Sequence, residues 1–191
     1  MTSEAHFPVE PGRPCGDLDV LERIGEGAFA RVFRARDRLL EREVALKVID
    51  PRRMSQATDA RRRVLSEARI VARLTGPHVV TLYRVHELPE GFWAFEMELM
   101  GGGDLTEHFR EDGTMPVHDV LRVARAILSA LGDAHRQDIV HHDVKPANVL
   151  LSDSGAIKLS DFGLGRFTHE EELSSAVARG PRGTPQYMSP E

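Results

Sequence analysis

Lysine is almost missing from this 191-residue chain, which carries 22 arginines but only Lys47, Lys145 and Lys158. Cysteine is scarcer still: Cys15 stands alone, which excludes an internal disulfide and fits a reducing compartment. No Cys/His spacing of the zinc-binding kind occurs. No apolar run approaches the roughly 20 residues that would cross a bilayer. With a net charge of -5 and scattered arginines, nothing in the composition calls for nucleic acid as a partner. Residues 1–17 lack the charged-then-apolar order of a secretory signal and read as a flexible cytoplasmic leader. What remains, 41% hydrophobic and 29% charged, is an ordinary globular composition, long enough for one large domain or two small lobes.

Beyond the leader the apolar pattern is strand-like over Leu18 to Gly25, Phe29 to Arg36 and Glu43 to Ile49, with turn-prone or charged stretches between, which predicts an antiparallel meander. Thr58 to Leu74 switches to helical period, with Val64, Val71 and Leu74 on one face and Gly76-Pro77 as the stop. Val79 to Val85 and Phe92 to Leu99 read as two more strands. Gly101-Gly102-Gly103 reads as a flexible joint, dividing a β-rich part, residues 18–100, from a helical part, residues 101–191. Val117, Val120, Leu121, Ala124, Ile127, Leu128 and Leu131 give an amphipathic helix from Pro116 to Gln137. Short strand-like segments follow at Val149 to Leu151 and Ile157 to Ser160.

Four constellations carry chemistry. Ile24-Gly25-Glu26-Gly27 lies between two strands, where glycines let backbone N–H groups approach phosphate oxygens; taken alone, such a pair is more often a simple turn. Lys47 sits in an apolar run, either pointing to solvent or buried and paired. Glu67, the only glutamate between residues 44 and 86, falls on a core-facing helical stripe where a carboxylate needs a cation. A Lys47–Glu67 ion pair would satisfy both groups and aim the ammonium at bound phosphate. Asp143, Lys145 and Asn148 follow the long helix within one short loop. Asp143 can orient an attacking hydroxyl and take its proton, Lys145 can neutralise a transferring phosphoryl, and Asn148 can offer an oxygen to a metal. The competing readings are a polar surface turn kinked at Pro146, or a metal cluster of His135, His141 and His142. Asp161-Phe162-Gly163 comes 13 residues after Asn148, and Asp161 with Asn148 supplies two hard oxygen ligands of the kind Mg2+ prefers.

In this order, from about Leu18 to Glu191, these motifs resemble the eukaryotic-type serine/threonine protein kinases, a family also present in bacteria. The resemblance implies an α+β, two-lobed kinase-like fold: a β-rich N-lobe with one key helix, and a mainly helical C-lobe that is truncated here. It implies ATP and Mg2+ as cofactors and protein substrates with Ser/Thr acceptors. By the same resemblance, Met97 would be the gatekeeper, Glu98 to Met100 the adenine-facing hinge and Asp104 a ribose contact. Val32, Ala45 and Leu150 would sandwich the adenine, and Leu82, Val71, Phe162 and His141 would form the regulatory spine. Lys145 and Gly183-Thr184 resemble the Ser/Thr-specific forms of their motifs.

Two departures follow. His142 stands where most of the family has an arginine that clamps a phosphorylated activation loop. A histidine is only partly charged near neutral pH and lacks the bidentate fork, so activity is expected not to depend strongly on phosphorylation at Thr168, Ser174, Ser175 or Thr184. The chain also stops at Glu191, before several helices typical of the family, so the 191 residues alone are expected to be weakly stable and poorly active, or a fragment of a longer kinase. Arg61-Arg62-Arg63 and Glu170-Glu171-Glu172 read as solvated charge runs. The alternatives to a protein kinase are a non-catalytic kinase-like scaffold and a small-molecule phosphotransferase.

Overall fold

Strand-forming runs and tight turns build a six-stranded sheet whose strands lie side by side in the order Pro14–Cys15, Leu18–Glu26, Ala30–Asp37, Arg42–Ile49, Trp93–Glu98, Leu82–Glu87. The computed structural model describes residues 7–27, 29–50, 52, 60–162 and 187; the side chains of residues 60, 61, 63, 67 and 109–112 also lie outside the description. The strands are β1 (Pro14–Cys15), β2 (Leu18–Glu26), β3 (Ala30–Asp37), β4 (Arg42–Ile49), β5 (Leu82–Glu87) and β6 (Trp93–Glu98), each antiparallel to its neighbour. The residues cluster into two compact units: Met1–Arg61 with Leu82–Leu99, and Arg62–Thr81 with Met100–Glu191.

In the first unit, Val44, Leu46 and Val48 alternate along β4 and bury one face with Leu18, Val20, Phe33, Ala35, Phe92 and Ala94. Asp37 closes the β3–β4 hairpin by accepting the N–H groups of Leu39 and Leu40 at 2.9 and 3.0 Å. These backbone hydrogen bonds hold its carboxyl below the usual carboxylate range. Glu96 pairs across with Leu46, which brings a carboxylate onto the core-facing side, 3% exposed. It survives there because Arg42 Nη2 and His86 Nε2 reach its two oxygens at 3.3 and 3.0 Å.

The leader differs from the sequence expectation. From Phe7 onward it is docked: Val9 belongs to the core cluster, and β1 pairs Pro14 with Asp19 and Cys15 with Leu18. Phe7 and Val9 are apolar side chains, and the sheet offers the surface that buries them.

The second unit contains α1 from Arg62 on (α1 is Ala60–Arg73), α2 (Leu105–Asp112), α3 (Val117–His135), β7 (Val149–Leu151) and β8 (Ile157–Leu159). Val64, Ala68 and Val71 bury one stripe of α1, with Leu74 just beyond its end. The strand expected from Val79 starts later, at Leu82, because Val79 and Val80 pair with Leu159 instead: Val80 N–H donates to Leu159 O at 3.1 Å. α3 packs on β8 through small residues, burying Val123, Ala126, Ala130 and Ala134. The expected apolar stripe is thereby turned partly outward, and Val117, Val120, Leu121 and Leu128 are exposed.

The glycine run is not a joint of free backbone. Gly102 N–H donates to Leu151 O, and Leu151 N–H donates to Gly103 O, both at 2.9 Å, so the run pairs with β7. A Cβ on Gly102 would lie 3.0 Å from the carbonyl oxygens of Leu151 and Ser152, so glycine is needed here for close backbone approach. α2, absent from the sequence reading, starts directly after it. Asp104 Oδ1 caps the helix by accepting Thr106 and Glu107 N–H at 2.7 and 3.1 Å.

Candidate active site

Each unit carries part of the predicted site. In the first, Gly25 ends up within β2 opposite Val32, and Gly27 N–H donates to Ala30 O at 2.8 Å, which closes the flap between β2 and β3. Neither glycine has a positive φ, and an added Cβ would meet nothing nearer than 3.6 Å at Gly25 or 3.8 Å at Gly27. The protein's own conformation therefore does not require glycine at either position. Ile24 precedes them with its side chain exposed.

Strand register gathers the other residues of this half. Val32, Lys47 and Phe95 form one cross-strand row, and Ala45 faces Met97 in the row two residues on. Directly paired residues and those two apart share a sheet face, so Val32, Ala45, Lys47 and Met97 lie together, opposite the face that buries Leu46 and Val48. Lys47 is half-buried, and Glu98, at the end of β6, pairs with Val44. The side chain of Glu67 lies outside the described residues, and so does the expected pair with Lys47.

In the second unit a single loop, 141–148, holds the chemistry. His141 is 1% exposed, lies against the Phe162 ring with centroids 4.6 Å apart, and donates Nε2–H to Ser160 O at 2.8 Å. Its Nδ1 accepts the Asp143 N–H at 3.2 Å, which fixes a neutral ring. Burial lowers its pKa, opposed by the Ser160 hydrogen bond and by the charges of Asp161 and Asp143. A buried neutral imidazole bonded at both nitrogens is a structural post, so the three-histidine metal cluster has no support: among the described residues no group of three His, Cys, Asp or Glu could hold a metal.

Lys145 Nζ sits 2.7 Å from Asp143 Oδ2. Asn148, 5% exposed in the one-turn helix Pro146–Asn148, donates Nδ2–H to Asp143 O at 2.7 Å and reaches its Oδ2 at 3.4 Å. With its amine end held there, the carbonyl oxygen Oδ1 is the end of Asn148 suited to a hard cation. Asp161 takes φ 63, a left-handed conformation uncommon outside glycine. His142 also has a positive φ, 67, and is exposed. Leu150 in β7 bridges to Asp104, bringing two further predicted contacts together, and Met100 is buried. Gly163 and the activation-segment motifs to Glu191, Tyr187 apart, lie outside the described residues.

One residue escaped the sequence reading. Ser160 N–H and Oγ–H both donate to Asn148 O, at 2.8 and 3.1 Å, while Ser160 O accepts from His141. As the residue before Asp161, it ties both ends of the loop to that position. No local pattern announces this, because its partners are 12 and 19 residues away.

The chain matches the protein kinase domain over residues 18–191. It is 42% identical over 173 residues to the serine/threonine-protein kinase PknL of Mycobacterium tuberculosis, covering 90% of this chain and 42% of PknL. It is 40% identical over 189 residues to the DNA damage-responsive serine/threonine-protein kinase RqkA of Deinococcus radiodurans, covering 97% of this chain and 28% of RqkA. The crystal structure of the M. tuberculosis PknI kinase domain superposes with a TM-score of 0.70 at 32% identity, covering 81% of this chain and 61% of that one. The chain thus spans less than half the length of these two relatives and under two thirds of the solved domain. A β-rich unit with the glycine flap and a helical unit with the Asp143–Asn148 loop, matched over 174 residues (18 to 191), make this chain a member of the protein kinase family.

Proposed function

We propose that the protein containing this chain transfers the γ-phosphate of ATP to serine and threonine hydroxyls of other proteins. The arrangement of the Asp143–Asn148 loop carries this reading. Asp143 and Lys145 are in contact, and Asn148 is turned by its hydrogen bond to Asp143 so that its oxygen is available to a cation. Asp143 orients the acceptor hydroxyl and receives its proton. Lys145 offsets charge on the transferring phosphoryl group. Lys47 holds the nucleotide phosphates. Val32, Ala45, Met97, Glu98, Met100 and Leu150 line the adenine contacts, and Asp104 uses the carboxylate oxygen not engaged in its helix cap for the ribose.

Asn148 and Asp161 are the residues that would hold Mg2+. The donor set fits: Asn148 and Asp161 would each offer a hard oxygen of the kind Mg2+ prefers. When bound, the ion neutralises phosphate charge. The glycines support the same reading. Neither strand geometry nor sterics requires them, which is consistent with a flap kept bare for phosphate oxygens. A cytoplasmic location suits ATP as donor and the single cysteine, and no described helix is long and apolar enough to cross a membrane.

The test is transfer of labelled phosphate from ATP with Mg2+ to a mixture of protein acceptors, followed by phosphoamino-acid analysis. Phosphoserine and phosphothreonine are expected. Calorimetry showing no uptake of adenine nucleotide in the presence of Mg2+ would end the reading.

A further inference from the structure

The kinase-matched region begins at residue 18, yet the segment before it is built into the first unit. Val9 is 3% exposed, and Gly12 N–H donates to Val20 O at 2.8 Å. Phe7 meets Phe92 edge-on at 5.2 Å and lies tilted against Phe33 at 6.1 Å. From that ring, contacts run on into the glycine flap. The Arg31 guanidinium stacks over Phe7, 4.3 Å from its centroid, and its Nε lies 3.4 Å from Glu26 Oε1. Arg23 Nη1 holds the other oxygen, Oε2, at 2.7 Å. Glu26 is the residue between Gly25 and Gly27.

We infer that residues 7–15 form a strap that positions the glycine flap for nucleotide, with Phe7 acting as a positioning residue through Arg31 and Glu26. The inference rests on the reading of Gly25–Gly27 as a phosphate-binding flap. A loop with two glycines loses much conformational freedom when it closes on a ligand. Holding Glu26 from both sides restricts the flap beforehand, so less freedom is lost on binding. Arg31 can serve as one of those holds only while its guanidinium is kept in place, and the Phe7 face keeps it there. A cavity of about 320 Å³ bordered by Phe7, Val9, Pro11, Arg23, Arg31 and Phe33 leaves room for a larger ring at position 7.

The whole 191-residue chain serves for the test, with a non-hydrolysable ATP analogue and Mg2+ as probe. Phe7→Leu keeps an apolar side chain but removes the ring; Phe7→Trp keeps a cation-binding ring; Glu26→Gln breaks the chain of contacts at its other end. Calorimetry should show analogue binding weakened about two- to fivefold by Phe7→Leu and by Glu26→Gln, the range expected for one exposed cation–π contact. The double variant should be no weaker than either single one, and Phe7→Trp should bind like the parent. Hydrogen exchange at the Gly25 and Gly27 amides should be faster in Phe7→Leu. Parent-like binding by Phe7→Leu, or losses that multiply in the double variant, would overturn the strap. If the 191-residue parent binds no analogue, its expected weak stability accounts for that, and the exchange comparison alone decides the strap: equal flap exchange in parent and Phe7→Leu refutes it.

Discussion

Replacing Asp143 by asparagine separates chemistry from fold, because the two effects differ greatly in size. Asp143 and Lys145 touch at 2.7 Å with side chains 22% and 27% exposed. A partly solvated pair of this kind contributes at most about 1 kcal/mol. The asparagine would retain a carbonyl oxygen for Lys145 Nζ, and the backbone bonds of residue 143, to Asn148 Nδ2 and His141 Nδ1, are untouched. The expected stability loss is therefore below about 1 kcal/mol, a shift of roughly 2–4 °C in a domain of this size. Catalysis should respond on another scale. An amide cannot take the acceptor's proton, and loss of a positioned base typically costs about 10²–10⁴ in rate, or roughly 3–5 kcal/mol of barrier. Single-turnover transfer of labelled phosphate, run beside thermal melts and nucleotide calorimetry, measures all three quantities. The expected pattern is a rate lowered at least a hundredfold, a melting point within a few degrees and nucleotide binding preserved. A rate within tenfold of the parent would remove Asp143 from the chemistry, and a melting point lowered by more than about 10 °C would make its role structural.

Gly25→Ala and Gly27→Ala should leave the melting point unchanged or slightly raised, since an added Cβ meets no close atom, while affinity for ATP falls; intact affinity in both would show that the flap does not approach phosphate. The buried His141 predicts a pH effect. Its pKa is lowered from 6.5 in the fold, so below that value the unfolded chain binds more protons. Its stabilising effect is complete above about pH 6.5 and declines as pH falls through the lower folded value. Thermal melts from pH 8 to 5 should show the parent losing stability relative to His141→Asn, and a constant difference would contradict the assignment. With His142 in place of the clamping arginine, phosphatase treatment should leave most of the kinase activity; near-complete loss would refute that expectation.

Much of the site could be read along the chain because its chemistry is local. Asp143, Lys145 and Asn148 fall within six residues, and their contacts with one another are short-range. The strands and α3 were legible for the same reason: alternation and helical period are local imprints of burial on one face. α2 also had a local signal, an aspartate two and three residues ahead of the amides it caps, but the glycine run before it read as a break in structure. That run was misread because a glycine required for close backbone approach looks, in sequence, like one that confers freedom. Only the fold shows β7 lying against it.

The order of motifs, the period of each element and the chemistry of the Asp143–Asn148 loop were determined by sequence alone, since each depends on residues a few positions apart. Tertiary structure decided what distant backbone and side chains do to one another. It put Ser160 between His141 and Asn148, paired Val79 and Val80 with Leu159 rather than with the large sheet, and laid Phe7 beneath the arginine that holds the flap. Such contacts depend on which groups are left with an unsatisfied hydrogen bond or an uncovered apolar face once the local elements have formed, and no short window of residues records that.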